Sequence, residues 1–97
     1  MSRRDGRKYI ELRLPEPLRR QLEATTREKV PLAYLVRQAL RRAMDLGLDW
    51  DTPFDARDGT LISLQLSTEE RARLERWTKA HDVSEEVAVL SLVSASV

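Results

Sequence analysis

Lys8-Tyr9-Ile10-Glu11-Leu12-Arg13-Leu14 alternates without a break, with Ile10, Leu12 and Leu14 on one side and Tyr9, Glu11 and Arg13 on the other. Such a period of two marks a half-buried strand. Pro15 and Pro17 stop it, because proline has no amide hydrogen for a ladder, yet both suit the first turn of a helix. Shifted by 52 residues the pattern returns: in Leu61-Ile62-Ser63-Leu64-Gln65-Leu66, the residues Ile62, Leu64 and Leu66 replace Ile10, Leu12 and Leu14.

The segments that follow each strand read as helix pairs. A helix over 16–28 is expected after Pro15, with a thin apolar side of Leu18, Leu22 and Ala24. Pro31 restarts the chain as a second helix, in which Leu32, Leu35, Val36, Ala39, Leu40, Ala43 and Met44 recur at helical spacing. Gly47 is its expected left-handed terminus. An Asp-rich stretch from Leu48 to Gly59 is the natural linker, with Trp50 and Phe54 expected to pin it to the body. In the second half, Ser67 with Glu70 forms a capping box for a helix through about Ala80, and Arg71, Leu74 and Glu75 match Arg19, Leu22 and Glu23. Ser84 is the expected N-cap of a last helix ending near Ser96.

The expected fold is therefore mostly α with a short two-stranded antiparallel ribbon, a strand-helix-helix unit repeated twice. Its parts are a basic arm (1–7), a first unit (8–47), a linker (48–59) and a second unit (60–97). One such unit leaves a sheet edge and an apolar face open, whereas two units close on each other. Tyr9, Glu11 and Arg13 would then stand beside Leu61, Ser63 and Gln65 on the free face of the ribbon.

Composition narrows the chemistry. At 97 residues, with 41% hydrophobic and 34% charged side chains, the chain suits one compact domain, or two half-domains that share a core, and a large multidomain enzyme is not expected. It has no cysteine, so disulfides, thiolate zinc sites and thiol nucleophiles are excluded. The single histidine, His81, has no second ligand; it reads as a helix-capping side chain beside Asp82, and neither catalysis, metal nor cofactor is implied. The longest uncharged run, Val87 to Val97, covers about half of the ~20 residues a bilayer demands, so no membrane span and a cytoplasmic location are expected. The net charge of +1 conceals an asymmetry: residues 1–49 carry 12 Lys+Arg against 7 acids (+5), and residues 50–97 carry 5 against 9 (−4). A basic first half suits a polyanion.

With these residues in place, the chain resembles the ribbon-helix-helix family of Arc-, MetJ- and CopG-type DNA-binding proteins. Ile10-Glu11-Leu12-Arg13-Leu14-Pro15, Leu18, Leu22 and Leu35-Val36-Arg37-Gln38-Ala39-Leu40 carry the likeness. Both strands in one chain make it similar to the tandem, TraY-like members. The resemblance implies a sequence-specific double-stranded DNA-binding protein: a transcriptional repressor, a plasmid or conjugation accessory factor, or an antitoxin, of bacterial, plasmid or phage origin. It assigns base reading to Tyr9, Glu11, Arg13, Ser63 and Gln65. Arg13 would meet guanine O6 and N7, Gln65 adenine, Ser63 either kind of edge and Glu11 cytosine N4. Phosphates would be held by Arg3, Arg4, Arg7, Lys8 and Lys29 and by the Leu32 and Ala33 amides at the start of the second helix. The matching corner of the second unit, Asp82-Val83-Ser84-Glu85-Glu86, is too acidic for a phosphate, so an asymmetric binder is expected.

Two further expectations concern the second half. The last helix, 84–96, is apolar nearly all round and is expected to expose one side for self-association or a partner protein, unless it lies deep in the core. Glu11 and the acidic second half also fit an alternative function, a protein-interaction module of the same fold with DNA binding reduced or lost.

Overall fold

The computed structural model describes residues 8–54 and 58–97. The order is β1 (Lys8–Leu14), α1 (Glu16–Glu23), α2 (Leu32–Leu46), β2 (Thr60–Leu66), α3 (Thr68–His81) and α4 (Glu85–Ser96). β1 and β2 form a two-stranded antiparallel sheet, with Tyr9 opposite Gln65, Glu11 opposite Ser63 and Arg13 opposite Leu61. The molecule is thus mostly helical, with four helices and one ribbon among the described residues.

The alternation decides which face the ribbon buries. Ile10, Leu12, Leu14, Leu64 and Leu66 are buried against the helices and Ile62 is half-buried beside them. Leu18 and Leu22 of α1, Leu35, Val36, Leu40, Ala43 and Met44 of α2, and Leu74 and Trp77 of α3 complete the same cluster. Packing is crossed: α2 lies on β2, α4 lies on β1, and α2 and α4 pack on each other. Neither half of the chain could keep this core without the other.

Local signals set most of the helix ends. Ser67 Oγ accepts from the Glu70 amide at 3.1 Å while Glu70 Oε1 accepts from the Ser67 amide at 2.9 Å, the expected capping box. Gly47 closes α2 at φ 66°, with the Leu48 amide on Ala43 O, the bond of a Schellman turn. Ser84 Oγ accepts from the Val87 amide at 3.2 Å.

Three expectations are corrected. α1 ends at Glu23, not 28, because Thr25 Oγ1 donates to Leu22 O at 2.6 Å and Thr26 Oγ1 accepts from the Glu28 amide, so these hydroxyls take backbone partners that a continuing helix would need. His81 is no simple helix cap: its ring stacks on Trp50 at 4.0 Å between centroids, and its Nε2 lies 2.6 Å from Asp49 Oδ1. Finally, α4 exposes no broad apolar side, since every residue from Ala88 to Leu92, and Val93, is buried. It is covered by α2, α3 and β1 and by the linker, whose Phe54 amide donates to the buried Ser91 Oγ at 2.8 Å. The basis for expecting self-association through 84–96 is thereby removed.

Candidate nucleic-acid interface

Directly opposed residues of an antiparallel pair project on the same side of the sheet. The observed register therefore collects Tyr9, Glu11, Arg13, Leu61, Ser63 and Gln65 in one double row. Gln65 is half-buried and the other five are exposed, Tyr9 by 65% and Leu61 by 63%. All five residues expected to read bases are brought together here. Leu61 sits among them as an apolar member that suits a thymine methyl as well as it suits a protein surface.

The residues expected to hold phosphate are less uniformly placed. Lys8 opens β1 opposite Leu66, and Arg3, Arg4 and Arg7 lie outside the described residues. Lys29 is exposed in the turn before α2, and Leu32 and Ala33, in its first turn, are half-buried. No side chain caps α2; Pro31 is its N-cap, and Pro31 O takes the Tyr34 and Leu35 amides. With no acid in that first turn, the helix start keeps its partial positive charge. The start of α4 is the reverse: Ser84 caps it, and Glu85 and Glu86 stand in its first turn.

Part of the basic excess of the first half is neutralised internally. Arg19 pairs with Glu16 at 3.0 Å, and Arg20 lies 3.5 Å from the same carboxylate. Arg37 and Arg41 of α2 reach Glu70 of α3 at 3.1 and 3.5 Å. Burial pushes the Glu70 carboxyl up, but the Ser67 amide and the Arg37 guanidinium outweigh it and leave the group below its ordinary range. Among the described residues of the first half, Arg27, Lys29 and Arg42 take part in no ion pair.

Two contacts had no signal in the sequence. Glu86 Oε2 accepts from the Arg13 amide at 2.9 Å, across 73 residues. The other is His81 as the partner of Asp49 and of Trp50, which with Phe54 pins the linker as expected, helped by Trp77 Nε1 donating to Leu48 O at 2.8 Å. Among the described residues no group of three His, Cys, Asp or Glu could hold a metal ion, and no helix is long and apolar enough to cross a membrane. No protein-family model, curated protein or solved structure matches the chain.

Proposed function

We propose that this chain binds double-stranded DNA by laying the β1–β2 ribbon in the major groove, as a tandem ribbon-helix-helix protein acting as a repressor, a plasmid or conjugation accessory factor, or an antitoxin. The observation that carries the reading is the register: it leaves a double row of mostly polar side chains facing solvent while the other face of the same ribbon is buried under helices. Two strands about 4.8 Å apart fit a groove about 12 Å wide and present alternate side chains to base edges. The strand-helix-helix order, which occurs twice, and the crossed packing of α2 on β2 and α4 on β1 support the tandem reading.

On this reading Arg13 and Gln65 discriminate guanine and adenine, Ser63 and Glu11 read neighbouring edges, and Tyr9 and Leu61 flank them. Lys29, the Leu32 and Ala33 amides and the basic residues 3, 4, 7 and 8 hold the phosphate backbone. Anisotropy titration of a labelled duplex at several salt concentrations tests it, because displaced counterions make affinity fall steeply with salt. Arg13→Ala then costs about 1–3 kcal/mol on a selected target and little on random duplex. Salt-independent or absent duplex binding would refute the proposal and favour the protein-interaction alternative, for which exposed Leu61 and Tyr9 are the supporting residues.

A further inference from the structure

The two ends of the ribbon differ in charge, and a single contact fixes the difference. At one end Lys8 pairs with Leu66, and just beyond Leu66 the α2 residues Arg37 and Arg41 reach over to Glu70. The chain carrying Arg3, Arg4 and Arg7 joins β1 at this end. At the other end Arg13 pairs with Leu61, and the first turn of α4, which holds Glu85 and Glu86, brings Glu86 against it.

In a two-stranded sheet, alternate amides of each strand point away from the partner and stay open to an outside acceptor. The Arg13 amide donates to Glu86 Oε2 at 2.9 Å rather than to β2. Glu86 is half-buried, and the helix start to which it belongs is locked by the Ser84 cap and by the Glu85–Arg71 ion pair at 2.9 Å. The carboxylate is therefore a fixed negative charge on a backbone donor at the ribbon's edge.

We infer that Glu86 is a built-in anion that closes the Arg13–Leu61 end of the ribbon to phosphate, so that a duplex is gripped from the Lys8–Leu66 end alone. This inference rests on the duplex-binding reading above. A duplex that takes the ribbon in its major groove runs its two phosphate backbones past the ribbon's flanks. Where Glu86 stands, a phosphate finds its donor occupied and a like charge beside it. The chain thus binds with a fixed polarity along the DNA, and part of its affinity is given up to set that polarity.

The test compares wild type with Glu86→Gln, Glu86→Ala and Asp51→Asn on a fluorescein-labelled random-sequence duplex, titrated from about 50 to 200 mM KCl. Asp51 supplies the same change in net charge from the linker, which is held at the His81 end of α3, about 20 Å along that helix from the ribbon. Glu86→Gln keeps an acceptor for the Arg13 amide and so tolerates the fold; thermal melts of both Glu86 variants confirm that they are folded. The expected result is several-fold tighter binding by both Glu86 variants, with the salt slope steeper by about one phosphate for Glu86→Ala, and no such change for Asp51→Asn. Equal gains from Asp51→Asn, or no gain at Glu86 while wild type still binds in a salt-dependent way, overturn the inference and leave the reading intact. Failure of every protein to bind duplex refutes the reading itself.

Discussion

Gly59 is the residue at which the ribbon's register is most exposed to test. It precedes β2 at φ 144°, and a Cβ added there would lie 2.3 Å from Leu14 O, 2.5 Å from Leu14 C and 2.8 Å from Pro15 N. All three are backbone atoms, held by a buried strand end and a proline ring, so none can swing aside. Restoring van der Waals contact requires the ends of β1 and β2 to separate by about 1 Å, which costs the terminal pair Leu14–Thr60, in addition to the roughly 1–3 kcal/mol an L-residue loses at such a backbone angle. A lost ladder bond adds about 1 kcal/mol, so Gly59→Ala should destabilise by about 3 kcal/mol. Gly47 is the internal control: its φ is 66°, nothing lies within 4 Å of the added carbon, and Gly47→Ala should cost only about 1 kcal/mol. Urea unfolding followed by circular dichroism reads both. With a slope near 1–2 kcal/mol per molar for a chain of this size, the two midpoints should stand apart by about 1 M or more. Equal losses at the two glycines would mean that β2 does not start against the end of β1, and the outward row of Tyr9, Glu11, Arg13, Leu61, Ser63 and Gln65 would then not be assembled as described.

Leu92→Ala, in the buried heart of α4, should cost about 2–5 kcal/mol; a loss below about 1 kcal/mol in the same melts would contradict the central place of that helix. The Glu70 carboxyl is lowered in the fold, so its contribution is complete above the ordinary glutamate range and fades as pH falls through the folded value. Glu70→Gln should therefore be less stable at neutral pH and show a flatter acid limb; parallel limbs would show that the Arg37–Glu70 pair carries no pH-linked stability. His81→Ala removes both the ring stacked on Trp50 and the partner of Asp49, and should shift Trp50 emission and speed proteolysis within 48–59. Unchanged emission and cleavage would show that the linker is held by Phe54 and Trp77 alone.

The features that could be read in advance are those encoded over a few adjacent residues. Strand alternation, the Ser67–Glu70 capping box and the Gly47 terminus each depend on local chemistry, and each is found where the spacing puts it. The end of α1 is not legible in the apolar spacing, which continues to Ala24, because the hydroxyls of Thr25 and Thr26 compete for the backbone only once the turn forms. For α4 the deep-core alternative is the one found. Its pattern shows correctly that it wants cover on every side, but not that the linker, through Phe54 and Ser91, supplies the last of it. Of the candidate site, the two rows follow from alternation plus antiparallel pairing. Glu86 does not, since its contact to Arg13 spans 73 residues and exists only because α4 crosses to β1.

That crossing also explains why the charge of each half is a poor guide to the surface it makes. Because α2 packs on β2 and against α3, the basic residues Arg37 and Arg41 of the first half are balanced by Glu70 of the second. Because α4 packs on β1, Glu86 of the acidic second half comes to rest on the backbone of the basic first strand. The net +5 of residues 1–49 is thus partly neutralised before any partner arrives. Arg27, Lys29 and Arg42 stay outside the ion pairs among the described residues, while Glu86 of α4 rests at the Arg13–Leu61 end of the ribbon. Polarity along the ribbon is a consequence of topology acting on two unequal halves, and an exchange of packing partners that left the sequence unchanged would abolish it.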